Sequence, residues 1–126
     1  MRAKSDDDAR NAFGKASEAA ACAYLESLGY RVEGRNVRTS HGEIDIVALD
    51  GDALVFVEVK ARRSAHYGTP QDAVTPAKRA RLCEAALAYL QSRNALDAPC
   101  RFDVIALEAS AGRSRITHLR DAFRCE

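Results

Sequence analysis

Apolar residues change their spacing several times along the chain, and each change marks an element. From residue 8 to 28, Phe13, Ala16, Ala20, Ala23, Leu25 and Leu28 recur every three or four positions, the period of a helix with one apolar face. The many alanines favour helix, and Asp6, Asp7 and Asp8 suit the positive end of its dipole. Gly29 supplies a stop. The period then shortens. YRVEGRNVR (30–38) predicts a first strand, irregular at Gly34, and EIDIVALD (43–50) a second. The turn Asp50-Gly51-Asp52 joins the second to ALVFVEVKA (53–61), so these two form a hairpin. SAHYGTPQDAV (64–74) reads as a loop around Gly68 and Pro70. Thr75 and Pro76 then open a second helix, as N-cap and first helical residue. Its stripe is Leu82, Ala85, Ala86, Tyr89 and Leu90, and it fades near Asn94. RFDVIAL (101–107) and SRITHL (114–119) are the fourth and fifth strands, with 108–115 expected to be the loosest region. The order α-β-β-β-α-β, with one further strand, predicts an α/β fold. A hairpin followed by a helical crossover gives a mixed central sheet flanked by helices.

Length and composition bound this picture. The 126 residues suit a single domain, with residues 1–7 expected to be flexible. At 47% hydrophobic and 29% charged, the chain has an ordinary globular composition. No apolar run is long enough to cross a bilayer, and MRAKSDDDAR lacks the apolar core of a secretory signal, so a cytoplasmic location is expected. Cys22, Cys83, Cys100 and Cys125 form no CxxC pair. Reduced thiols are expected, with Cys22 and Cys83 as small core residues. The net charge is only +1, with a pI near 7.7, lower than a strongly DNA-binding domain usually shows. Bases nevertheless gather at Arg31, Arg35 and Arg38, at Lys60, Arg62 and Arg63, and at Lys78, Arg79 and Arg81. Each cluster alone reads as a solvated face; together they can guide a phosphate backbone.

The chemistry begins with a conflict inside LVFVEVKAR (54–62). Glu58 and Lys60 stand in a strand otherwise built to exclude water, where an unpartnered charge costs several kcal/mol. Strand alternation puts Leu54, Phe56, Glu58 and Lys60 on one face. On the preceding strand Glu43, Asp45 and Val47 share a face and Ile44 and Ile46 the other, so Asp45 comes near Glu58 if the register joins the two polar faces. Acids brought together repel one another, and Mg²⁺ or Mn²⁺ relieves this, since a hard cation is commonly held by one or two carboxylates, waters and a phosphate. Lys60 would then orient an attacking water or stabilise charge on the phosphoryl group. The pattern also admits a plain ion pair of Glu58 with Lys60 or Arg62 at a strand end, which is what an isolated acid-x-lysine usually is. Read alone, Glu18 is an exposed helical acid, Asp72 a loop tie, His41 and His66 surface residues or phosphate contacts, Tyr30 and Tyr67 packing groups, and His118 structural.

GEIDIVALD followed by LVFVEVKAR also resembles the UPF0102 (YraN-like) family. The resemblance extends to GKASEAAACAYLESLGY, RNVR, YGTPQDAV, KRARLCEAALAYL, RFDVIAL and HLRDAF. It implies the restriction endonuclease-like fold of the PD-(D/E)XK nucleases, similar to archaeal Holliday-junction resolvases. On that resemblance Asp45 is the motif aspartate, Glu58 and Lys60 are the acid-x-lysine pair, and Glu18 is the helix glutamate that completes the metal shell. Ser17 stands where the family usually has glycine, and Glu43 is either an auxiliary acid or simply an exposed one. The expected function is a divalent-metal-dependent nuclease acting on DNA, on branched DNA in the resolvase-like case, as a homodimer. Arg38, Arg62, Lys78, Arg79 and Arg81 are the candidates for holding the phosphate backbone. The alternative is a non-catalytic nucleic-acid-binding or protein-interaction module that keeps the fold.

Overall fold

The computed structural model describes residues 6–62, 74–110 and 112–125. Helix α1 spans Asp6–Ser27, strands β1, β2 and β3 span Arg31–Thr39, Gly42–Asp50 and Ala53–Arg62, helix α2 spans Pro76–Ser92, and β4 and β5 span Cys100–Ser110 and Arg113–Phe123. This is the predicted order. Asp6 and Asp7, assigned above to a flexible leader, belong to the first turn of α1. Residues 1–5 and most of the predicted loop (64–73) lie outside the described residues.

The five strands form one sheet in the order β1-β2-β3-β4-β5. Only β3 and β4 run parallel, because α2 connects them as a crossover. Alternation along the central strands divides the core in two. Leu82, Ala85, Ala86, Tyr89 and Leu90 of α2, the predicted stripe, pack on Phe56, Phe102, Val104 and Phe123. Ala21, Cys22 and Leu25 of α1 pack on Val55, Val57, Ile105 and Leu107 from the other side. The result is an α/β, mixed five-stranded sheet between two helices, consistent with the restriction endonuclease-like fold. None of the described helices is long and apolar enough to cross a membrane.

Three expectations need correction. The buried face of α1 is Ser17, Ala21, Cys22 and Leu25, while Ala16, Ala20, Ala23 and Leu28 are exposed. In an alanine-rich helix the apolar count barely distinguishes one face from the next, and the small residues turn toward the sheet. The segment 108–115, expected to be loose, is mostly paired strand: Glu108↔Arg115, Ala109↔Ser114 and Ser110↔Arg113 extend the β4–β5 ladder to a turn at Gly112, whose φ is +75°. Finally, Cys83 and Cys125 are joined in a disulfide, with Cα atoms 5.8 Å apart, in place of the reduced thiols expected. Cys83 does pack against the core as predicted, but its sulfur also ties α2 to the chain just after β5. Cys22 and Cys100 are free.

Candidate active site

The β2–β3 ladder runs from Asp50↔Ala53 to Ile46↔Val57 and ends there. Continuing it would set Asp45 opposite Glu58. The carboxylate of Asp45 enters the gap instead, and its Oδ2 accepts a hydrogen bond from the Val59 N–H at 2.9 Å. The strand bends at this point. Ile44 packs in the α2-side core and Ile46 in the α1-side core, although simple alternation put both on one face. On β1, between the pairs Arg35↔Ile46 and Val37↔Ile44, Asn36 takes up a left-handed φ of 49°, a conformation asparagine tolerates better than most residues. Alternation is thus broken at Asp45, where its carboxylate takes the Val59 N–H.

Glu58 is buried on the α2 side with Phe56, as its position in the strand predicted. Its Oε1 forms an ion pair with Nζ of Lys78, from the first turn of α2. An ion pair was one of the two readings of Glu58, but its cation comes from the helix and not from Lys60 or Arg62. Burial and the nearby Glu58 together raise the Asp45 pKa from 3.8 to about 7. Burial is the largest cause, followed by the negative charge of Glu58; the Val59 N–H opposes both, and a hydrogen bond between the two carboxyl side chains favours the protonated form. The charge of Glu18 adds in the same direction.

Glu18 is thus more than a surface acid. It is partly buried on α1, and its Oε1 is fully enclosed with no hydrogen-bond partner. Ser17 beside it is buried, so serine in place of glycine is accommodated at the helix–sheet seam. Lys60 lies two residues beyond Glu58 on the same side and is half-buried. Among the described residues, no three Asp, Glu, His or Cys side chains converge tightly enough to make a metal shell. Asp45 and Glu58 meet, while Glu18 reaches Asp45 through its charge. Two carboxylates suit Mg²⁺ or Mn²⁺, which takes much of its shell from water and phosphate, and the unpartnered Glu18 oxygen suits a neighbour of that hydrated ion.

The candidate phosphate-binding bases are placed unequally. Arg62 is buried at the end of β3. Lys78 is engaged by Glu58. Nε of Arg79 donates to the Val74 carbonyl at 3.1 Å, and its guanidinium lies 6.0 Å from the Phe123 ring. Arg81 is exposed and lines a cavity of about 300 Å³ together with Glu58, Lys78, Glu43 and His41. Arg38 is exposed, pairs loosely with Glu43 at 3.9 Å, and lines a second cavity with Tyr89 and Arg93 further along α2. His66, Tyr67, Gln71 and Asp72 lie outside the described residues.

A second buried acid was missed. Asp103, inside RFDVIAL, is wholly buried and accepts hydrogen bonds from Nε2 of His118 (2.7 Å), Nε of Arg101 (3.1 Å) and the Asp121 N–H (3.0 Å). Burial pushes its pKa up, but the donors His118, Arg101 and Asp121 outweigh burial and hold it below the ordinary value. Arg101 also reaches Asp50 and the hydroxyl of Tyr30, and Nδ1 of His118 meets the hydroxyl of Tyr24 at 3.3 Å. The two ring nitrogens of His118 thus each meet a polar partner, Nε2 the Asp103 carboxylate and Nδ1 the Tyr24 hydroxyl. With the His118 side chain only 5% exposed, this network fastens α1, β4 and β5 together, in keeping with the structural role expected of that histidine. The signal was available in the sequence: an acid inside an apolar strand, as at Glu58.

A model of the "Uncharacterised protein family UPF0102" matches residues 17–107, a stretch that includes Glu18, Asp45, Glu58, Lys60, Lys78 and Asp103. The chain is 53% identical over 112 residues to a UPF0102 protein of Geobacter sulfurreducens, covering 88% of each chain. It is 50% identical over 111 residues to one of Symbiobacterium thermophilum, covering 87% of this chain and 94% of that one. A relative in Geotalea daltonii is 44% identical over 124 residues, 98% of this chain and 97% of its own.

Proposed function

The chain belongs to the UPF0102 family, and on that premise we propose that it is a divalent-metal-dependent nuclease that hydrolyses DNA phosphodiester bonds, with branched junctions as its substrate. The observation that carries this reading is the pair Asp45–Glu58, with Glu58 buried and Asp45 partly buried. Two carboxyl groups pressed together, one of them with its pKa raised to about 7, form a place where a cation is wanted. A structural ion pair accounts for only part of this, since Lys78 pairs with Glu58 while Asp45 is held by the Val59 N–H.

Asp45 and Glu58 would hold Mg²⁺ or Mn²⁺, with Glu18 supporting from α1. When bound, the ion would supply charge stabilisation at the phosphoryl oxygens and a more acidic water. The chain's own residues set the geometry. The Val59 N–H fixes the Asp45 carboxylate, and the packing of β3 fixes Glu58. Lys60, on the same side as Glu58, would orient the attacking water and steady charge on the phosphoryl group. Arg81 and Arg38 face the cavities between α2 and the β1–β2 turn, where they would draw in the phosphate backbone. Among the described residues no base-reading element stands out, so selectivity on this reading follows DNA shape. Resolving a junction needs two cuts, so the active species would be a homodimer.

The near-neutral charge of the chain favours a second reading, a protein-interaction module that keeps the fold without turnover. One assay separates them. The protein is incubated with linear, single-stranded, flap and four-way-junction DNA in Mg²⁺ or Mn²⁺, beside Asp45→Ala and Lys60→Ala. The nuclease reading predicts metal-dependent cuts, lowered about 100-fold or more by either substitution. Cleavage that survives both substitutions removes this site from the reaction. Salt-sensitive binding without cleavage supports a nucleic-acid-binding module, and neither binding nor cleavage supports the protein-interaction module.

A further inference from the structure

We propose that Lys78 is a built-in counter-cation, which holds Glu58 in the metal-free protein and yields it to a divalent ion, releasing its ammonium toward phosphate in the adjoining cavity. The inference rests on the metal reading above and adds a competitor for the site.

Three observations support it. The Lys78 ammonium is ion-paired with Oε1 of Glu58, one of the two proposed ligands. The Glu58 side chain is only 7% exposed, whereas that of Lys78 is 29% exposed, so the carboxylate is fixed and the ammonium can leave. Lys78 is also poorly placed for the helix that carries it. Its backbone N–H bonds the Thr75 cap at 3.3 Å, which puts it in the first turn of α2, and that turn contains no acid. A helix dipole disfavours a cation there. The position is explained by what the side chain reaches across to.

The place to which Lys78 would move is also present. The cavity that Glu58 and Lys78 line, about 300 Å³, includes Arg81 and His41 beside Glu43, whose carboxylate pairs with Arg38, and an ammonium displaced into it would add a further cation for an anionic phosphate. Ammonium and divalent ion compete for the same carboxylate and repel each other. By linkage, each weakens the other's hold on Glu58 by the same factor. Lys78 would thus keep the empty site from carrying unbalanced acid charge and become a substrate contact only when the site is loaded. Its role differs from that of Lys60, which lies on the strand itself.

Calorimetric titration of Mn²⁺ into the wild type, Lys78→Met and Lys78→Arg tests this. Lys78→Met should bind Mn²⁺ about tenfold tighter or more, and Lys78→Arg, which keeps the charge, should stay near wild type. Equal or weaker binding by Lys78→Met would overturn the inference. A second measurement needs no variant. Acetic anhydride labelling of Lys78 in the wild type, read by mass spectrometry, should rise severalfold when Mn²⁺ is added; no rise overturns the inference. The two levels can fail separately. If neither wild type nor Lys78→Met binds Mn²⁺, the metal reading falls and takes the inference with it. If the wild type binds and Asp45→Ala does not, yet Lys78→Met gains nothing, only the inference falls.

Discussion

Asp45 serves two ends at once: its carboxylate completes the hairpin by accepting the Val59 N–H, and it lies against Glu58. The first use is structural; the second makes stability sensitive to pH. Folding raises the Asp45 pKa from 3.8 to about 7, so the folded state binds the proton more tightly than the unfolded chain. That contribution to stability is fully present below about pH 4 and is lost as the pH rises through 7. Asp103 has the opposite sign: its pKa is held down, so its contribution is present above the ordinary carboxylate range and is lost as the pH falls below it. In EDTA, urea denaturation should therefore show stability declining from pH 5 to pH 8 by on the order of 2 kcal/mol, allowing for the partial exposure of Asp45. Asp45→Asn should flatten that decline, and an equally steep slope in the variant would assign it elsewhere. Glu58 and Lys60 were legible in the sequence because charges in a run such as LVFVEVK contradict their surroundings. Asp103 gives the same warning, but His118 and Asp121 reach it from β5 through a register shift between Phe102 and Val104, and no local pattern contains that pairing.

Strands and helices were legible where composition contrasts sharply. Thr75 caps α2 through the Lys78 N–H, Pro76 follows it, and every residue of the predicted α2 stripe is buried. In α1 the abundant alanines erase the contrast, and the buried stripe lies on a neighbouring face. This face matters to the site because it carries Glu18 and packs α1 against the sheet. Leu25 is wholly buried and Leu28 is 50% exposed, although both belonged to the predicted stripe. Leu25→Ala should cost about 3 kcal/mol in urea denaturation, while Leu28→Ala should stay within about 0.5 kcal/mol. Equal costs would mean that α1 is rotated from the position described. The bend in β2 was less legible still. The sequence shows EIDIV as a regular alternation, and only the left-handed Asn36 on the neighbouring strand and the split of Ile44 from Ile46 expose the break at Asp45.

Over the whole molecule, helices on opposite faces of a mixed sheet bring α1, the β2–β3 hairpin and the start of α2 toward one acid pair. The element order and the parallel crossover were readable from the pattern; the cross-link between Cys83 and Cys125 was not, because 42 residues separate the two and neither belongs to a recognisable spacing. A loop of that length, when closed, stabilises by about 4 kcal/mol in the chain-entropy account. Cys125→Ser should accordingly lower the unfolding free energy by about 2–4 kcal/mol under non-reducing conditions, and an unchanged value would mean that the bond contributes nothing to the fold in solution. The central claim is that Asp45 and Glu58 hold a divalent ion. Crystals grown with Mn²⁺ test it most directly through the anomalous difference map. A peak between the Asp45 and Glu58 carboxylates, absent in Asp45→Ala, is expected; a Mn²⁺-saturated crystal with no peak there, or with the same peak in the variant, would contradict metal binding by this pair.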